Sequence, residues 1–197
     1  MPVEHDKTWP EMVHRYLSMS LGLDSIGILV FALRNRGPEQ PLKLPVFLLA
    51  FIILQGMFGM WTVTLKLWPQ VVTAHLLGGF TTISLLWLLT LRLNNQRWQL
   101  PAIVEPKLTA LRPLVVVGLL IVVGQIALGG WTTSNYADIA CPDFPRCQGA
   151  WLPPMDFANG FNIAQQVGPN YLGGVLDNDA RVAIHVSHCI GAIITSL

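Results

Sequence analysis

The chain has 197 residues, and only 12% of them are Asp, Glu, Lys or Arg, about half the roughly 25% usual in soluble proteins. Hydrophobic residues reach 52%, the mean hydropathy is +0.51 and the formal net charge is +1, which excludes a charged soluble surface and a disordered chain and gives no sign of a nucleic-acid partner. Three cysteines are too few for a disulfide-rich secreted scaffold, so the composition is that of a membrane protein.

A helix that crosses a bilayer needs about 20 mostly apolar residues. In chain order, the first such stretch runs from about Tyr16 to Leu33, with Asp24 in its middle. A carboxylate at mid-membrane is costly and usually functional, although no partner residue stands one turn from this one. At the mouth of the span, Glu11-x-x-His14-Arg15 puts a carboxylate and an imidazole on one helix face. Beside an apolar pocket such a carboxylate is a candidate for proton handling; its plainer reading is an acidic residue favoured by the helix dipole. A second span is predicted between Lys43 and Lys66, which enclose 22 uncharged residues, and a third between Lys66 and Arg92, which enclose 25 and include His75. Arg112 and Asp138 enclose a fourth, again of 25 uncharged residues. After Arg181 only 16 uncharged residues remain, so the fifth span, opened by His185 and His188, is expected to be cut short. The expected fold is an all-α membrane bundle with four full spans and one interrupted span.

Basic residues in short loops mark the cytoplasmic side. Segment 34–43 holds Arg34, Arg36 and Lys43 against Glu39, and segment 92–112 holds Arg92, Arg97, Lys107 and Arg112 against Glu105, so both are predicted inside. Segment 131–180 sets one arginine, Arg146, against five aspartates, a net of −4, and is predicted outside. The N-terminus then lies outside with no signal peptide of its own, and both ends of the chain are expected to be cut. Cys141-Pro-Asp-Phe-Pro-Arg-Cys147 falls in the outer segment, where disulfides persist. Its two prolines suit a tight closed loop, whose bridge contributes roughly 2 kcal/mol. A structural staple is favoured over a redox-active pair. Cys189, within the last span, reads as inert packing.

Gln55-Gly-Met-Phe-Gly-Met-Trp-Thr returns seventy residues later as Gln125-Ile-Ala-Leu-Gly-Gly-Trp-Thr. Each copy of Q-x-x-x-G-x-W-T lies near the outer half of its helix, where a glycine lets another helix or a flat ligand approach. Four of the five histidines, His14, His75, His185 and His188, lie at that same outer level. Lone membrane histidines often do no more than bond neighbouring helices, but four at one depth point to ligands. They are spread over separate helices, unlike the converging donors of a zinc site. Gly78 and Gly79 follow His75, and Gly191 follows His188. Glycine one turn from an imidazole leaves room for a porphyrin plane, which suits haem ligation. His185-x-x-His188 mirrors Glu11-x-x-His14, so the duplication extends to the candidate sites.

Glu11-x-x-His14-Arg15, Gln55-Gly56-x-x-Gly59-x-x-Thr62-Val63, Thr73-Ala-His75-Leu76 and Cys141-Pro-Asp-Phe-Pro-x-Cys147-x-Gly149 together resemble the haem A synthase family of cytochrome oxidase assembly proteins. The outer run from Gly168 through Tyr171 and Gly174 to Asn178 is similar to its proteobacterial branch. The resemblance implies eight helices in two four-helix halves, of which this chain would hold helices two to six. Residues 1–100 would be a first half of three spans, lacking its first helix and holding a haem-substrate pocket. Residues 101–197 would be a second half of two spans, the last cut short, with the outer disulfide loop 131–180. It further implies that His14 and His75 ligate the substrate-side haem, with Arg15 among the cofactor-binding residues and Glu11 as the catalytic carboxylate. His188 would be an axial ligand of a second, electron-transfer haem b, whose other ligand would lie on a helix beyond this chain, and His185 is a weaker candidate. Where the family has His-Arg, this chain has His188-Cys189, so an arginine that would pair a propionate is missing from the second site.

By the same resemblance the reaction turns a methyl group of haem O into the formyl group of haem A through successive hydroxylations. The partners implied are haem O, the enzyme that produces it, membrane lipid and a second copy of the chain, in a bacterial inner membrane with loop 131–180 on the periplasmic side. The sequence does not name the electron acceptor. Two other readings compete. A bis-histidine cytochrome b that only carries electrons would use the same imidazoles and would have no need of Glu11. A membrane thiol–disulfide partner would rest on Cys141 and Cys147 alone and would leave the histidine layer unexplained.

Overall fold

The computed structural model describes residues 5–35, 37, 42–94, 104–143, 145–169 and 174–197, and the side chains of these except residues 5–8 and 105. Among residues named above, Arg36, Glu39, Arg97, Phe144 and Tyr171 lie outside the described set. Seven helices form among the described residues: α1 (His5–Arg34), α2 (Lys43–Thr64), α3 (Pro69–Leu93), α4 (Glu105–Ala110), α5 (Arg112–Ser134), α6 (Phe157–Gly160) and α7 (Asn178–Ser196). Four of them, Trp9–Arg34 within α1, then α2, α3 and α5, are long and apolar enough to cross a membrane. Their exposed positions carry Leu23, Phe31, Phe47, Ile53, Ile83, Trp87, Leu114 and Leu120, a surface that lipid rather than water satisfies. The protein is an integral membrane protein with a multi-span helical bundle.

Proline opens these helices where no hydrogen bond is lost. Pro69 is the first residue of α3, and α4 and α5 each carry one in their first two positions, where an amide N–H would have no intrahelical acceptor. The ends are more unusual. In α2 the Leu67 N–H donates to Thr62 O at 2.8 Å and the Lys66 N–H to Val63 O at 3.1 Å. In α5 the Ala137 N–H donates to Thr132 O at 2.9 Å and the Tyr136 N–H to Thr133 O at 3.1 Å. Both are Schellman stops, each starting from the threonine of the repeated Q-x-x-x-G-x-W-T. The left-handed position falls on Lys66 (φ 52°) and Tyr136 (φ 54°) rather than on glycine, at a cost of about 1–2 kcal/mol each. Lys66 Nζ recovers a bond to Pro169 O at 2.9 Å, and the Tyr136 ring lies against Gly174.

The chain divides into two compact units. The first holds residues 1–57 and 79–97, the second residues 58–78 and 98–197. The core of the first joins Leu44, Leu48 and Leu89 to Ile28, Ile52, Leu85 and Leu86, tying α1 to the matching lengths of α2 and α3. Its buried Ser25 hydroxyl donates to Leu21 O at 2.7 Å, so that hydroxyl is satisfied within its own helix. In the second unit α5 and α7 pack side by side. Buried Ala140, Cys147 and Val182, with Cys141, Met155 and Val186, fasten the outer loop to the start of α7. The Trp131 indole N–H donates to Gly160 O at 2.8 Å and anchors α6. Trp68 Nε1 and Gln70 Nε2 reach Gln165 O and Ile163 O at 2.8 and 2.6 Å, which fixes segment 163–165 to the start of α3.

Candidate functional site

In the second unit, the glycines of the repeated motif meet imidazoles. A Cβ added to Gly59 would lie 3.3 Å from His75 Cε1, and one added to Gly129 would lie 3.4 Å from His188 Cε1. Helices α2 and α5 thus each use the same motif position to approach a histidine edge-on. Gln125, one turn before Gly129, completes the second arrangement: its Nε2 lies 3.1 Å from both His188 Nδ1 and His188 O. Gln55 stands one turn before Gly59 in the same register on α2.

The glycines that follow the histidines differ from one another. Around Gly79 an added Cβ would meet nothing within 4 Å, the open space that the sequence reading expected. At Gly191 that space is filled by the carboxamide oxygen of Gln125, with Leu128 behind it. A side chain reaching over from α5 takes the room that spacing alone assigned to a flat ligand.

His185 has a different surrounding. Its Nδ1–H donates to Ala137 O at 2.8 Å, across from α7 to the residue that ends the α5 stop. A carbonyl only accepts, so the ring proton sits on Nδ1 and the Nε2 lone pair is left for other use. In the first unit, Glu11 accepts from Arg15 Nη2 at 2.6 Å, one helical turn apart. His14, on the same stretch, is exposed, and so is Asp24. His14 belongs to the first unit and His75 to the second.

The cysteines form the expected bridge, Cys141–Cys147, with Cα atoms 4.6 Å apart. The reason is local. Asp143 accepts from the N–H groups of Gln148 and Gly149 at 2.6 and 2.8 Å, while Gln148 (φ 53°) and Gly149 (φ 77°) make a tight turn closed by the Cys147–Ala150 pair. Arg146 stacks 5.3 Å over Trp151. Cys147 is 5% exposed and packed on Val182; such sheltering suits a staple more than a bridge that exchanges with thiols.

Among the described residues, no group of three or more His, Cys, Asp or Glu side chains is gathered to hold a bare metal ion. Glycine lies at the ring edge of His75 and of His188. An imidazole backed by a residue without a side chain is a donor a haem accepts, so these two residues fit such a group. Gln125 and Ala137 were missed by sequence reasoning because both are brought in by packing between α5 and α7. Only the matched register of the two glutamines hinted at the first.

The comparisons with known proteins agree with the resemblance. The profile of the cytochrome oxidase assembly protein family matches residues 1–197. The haem A synthase of Shewanella oneidensis is 46% identical over 194 residues, covering 98% of this chain and 57% of the relative. That of Symbiobacterium thermophilum is 30% identical over 166 residues, covering 80% and 53% respectively. That of Halalkalibacterium halodurans is 26% identical over 166 residues, covering 82% and 54%. The chain therefore spans a little over half the length of the curated relatives it matches. No solved structure matches it.

Proposed function

Because the chain belongs to the cytochrome oxidase assembly protein family, we propose that it carries out, or forms part of a protein that carries out, haem A synthesis. The substrate is haem O, and the reaction oxidises one of its methyl groups to the formyl group of haem A. The supporting observation is the pairing of the repeated glycines with His75 and His188, together with similarity to haem A synthases over nearly the whole chain. The division into halves 1–100 and 101–197, each with its own haem pocket, belongs to the same reading. So do the placement in a bacterial plasma membrane, loop 131–180 on the periplasmic side, and supply of substrate by a haem O-producing enzyme.

In this reading His14 and His75 hold the substrate-side haem through imidazole nitrogens, and Gly59 keeps the approach to the His75 ring free of a side chain. Glu11 is the group that accepts or relays protons. Its bond to Arg15 orients the carboxylate along the helix, and Arg15 has further guanidinium donors for a propionate. His188 is the ligand this chain offers to a second haem. His185, bonded to Ala137, supports α7 and remains the weaker candidate. A haem b, when bound at His188, would supply a one-electron redox centre.

Adding haem O to membranes that contain the protein and separating the haems by chromatography tests the reading. Haem A should appear, and Glu11→Gln should remove it while haem binding persists. Bound haem with no haem A in the unaltered protein would leave the electron-carrier reading in its place.

A further inference from the structure

We propose that Gln125 is a positioning residue for His188, and that its carboxamide determines which ring nitrogen carries the proton. This rests on the reading of His188 as a haem ligand and goes beyond it by naming what controls that ligand.

The argument begins with Gly191. A Cβ there would overlap the Gln125 carboxamide oxygen and press on Leu128. Gly191 follows His188 by three residues, so the notch it leaves opens on the ring's side of α7. Gln125 enters that notch from α5 and reaches two acceptable positions on His188 at once, Nδ1 and the backbone O, both at 3.1 Å. The backbone oxygen can only accept. It therefore fixes the amide with its NH2 end toward α7, and the second N–H of the same group faces Nδ1. A ring that accepts at Nδ1 carries its proton on Nε2 when neutral. Gly129 meets Cε1 from the same helix, so α5 packs against the ring beside Nδ1, the nitrogen that Gln125 occupies.

Coordination of iron needs a lone pair on Nε2, and so a ring proton on Nδ1. A half-turn of the Gln125 amide turns its oxygen toward Nδ1–H and supplies the matching acceptor, at the loss of the bond to His188 O. The two amide orientations thus correspond to two tautomers, one closed to iron and one open to it. His185 offers a contrast in the same helix: the Ala137 carbonyl has no second orientation and holds its partner in the Nδ1–H form. Only His188 has a partner that can change roles.

The test uses detergent-solubilised protein with 15N-labelled histidine, before and after addition of haemin. NMR should show His188 as the Nε2–H tautomer before addition. Gln125→Leu should abolish that preference and weaken His188-dependent haem binding roughly 10- to 100-fold, the usual effect of losing an outer-shell partner. Gln125→Glu, whose oxygens only accept, should keep or tighten binding and lower the reduction potential of the bound haem. Gly191→Ala should act like Gln125→Leu, and the two together should be no worse than either alone. Equal weakening by the Leu and Glu variants, or an unchanged tautomer in Gln125→Leu, would overturn the proposal. His188→Ala separates the two failures: if it leaves the haem spectrum unaltered, His188 is not a ligand and the reading above falls. If it removes a singly ligated, high-spin component that Gln125→Leu leaves untouched, the inference falls alone.

Discussion

At Gly160 a single hydrogen atom decides the packing. An added Cβ would lie 2.8 Å from Ala180 O, a backbone atom that cannot swing aside, while Gly160 O accepts from Trp131. Gly160→Ala must push α6 off α7, and overpacking of this kind costs about 1–3 kcal/mol. Thermal unfolding in detergent should show the loss, whereas an unchanged midpoint would mean α6 shifts freely. Four residues earlier Asp156 caps α6. The Asn159 N–H, then the Asn159 side-chain amide and the Ala158 N–H, hold its carboxyl below the usual carboxylate range. A folded value below the unfolded one means the cap stabilises at pH above the unfolded carboxylate value and stops doing so as pH falls through the lowered one. Stability measured down an acid series should fall less steeply in Asp156→Asn than in the unaltered protein; parallel curves would deny Asp156 that role. Spacing set Glu11 beside His14, whereas in the structure Glu11 accepts from Arg15, a pair that the one-turn separation also allows. The contact of Gln125 with His188 was not legible in the sequence, since 63 residues separate the partners and packing alone unites them.

Helices were the most legible elements. Gaps between charges placed three spans close to where α2, α3 and α5 run, because in lipid an unbroken apolar stretch has no alternative that satisfies its backbone. The stops were less legible: charge counting carried the fourth span to Asp138, but α5 ends at Ser134. The Schellman turns at Lys66 and Tyr136 place non-glycine residues where glycine is the usual signal. Short α6 also escaped notice, although Asp156 three residues before Asn159 is an N-cap pattern. The disulfide was readable from its two cysteines, and its packing on Val182 suits the mechanical role proposed for it. Replacing Cys141 and Cys147 by serine should lower stability by about 2 kcal/mol yet leave some haem A formation in an active homologous chain. Complete loss of product with unchanged folding would favour redox chemistry at the pair instead.

For the molecule as a whole, the account joins a topology to a chemistry. If loop 131–180 lies outside, as we propose from the charge asymmetry, an impermeant thiol reagent should after reduction label Cys141 and Cys147 in intact spheroplasts carrying Cys189→Ser. Labelling that appears only after membrane rupture would reverse the orientation. The proposed chemistry depends on imidazoles holding haem iron, and the His75 ring faces Gly59 with no side chain between them. Low-temperature electron paramagnetic resonance of haem-loaded protein tests this most directly. The account predicts a low-spin ferric signal with a component that disappears in His14→Ala and equally in His75→Ala, since two imidazoles on one iron are needed for it. Spectra of both variants identical to that of the unaltered protein would contradict it.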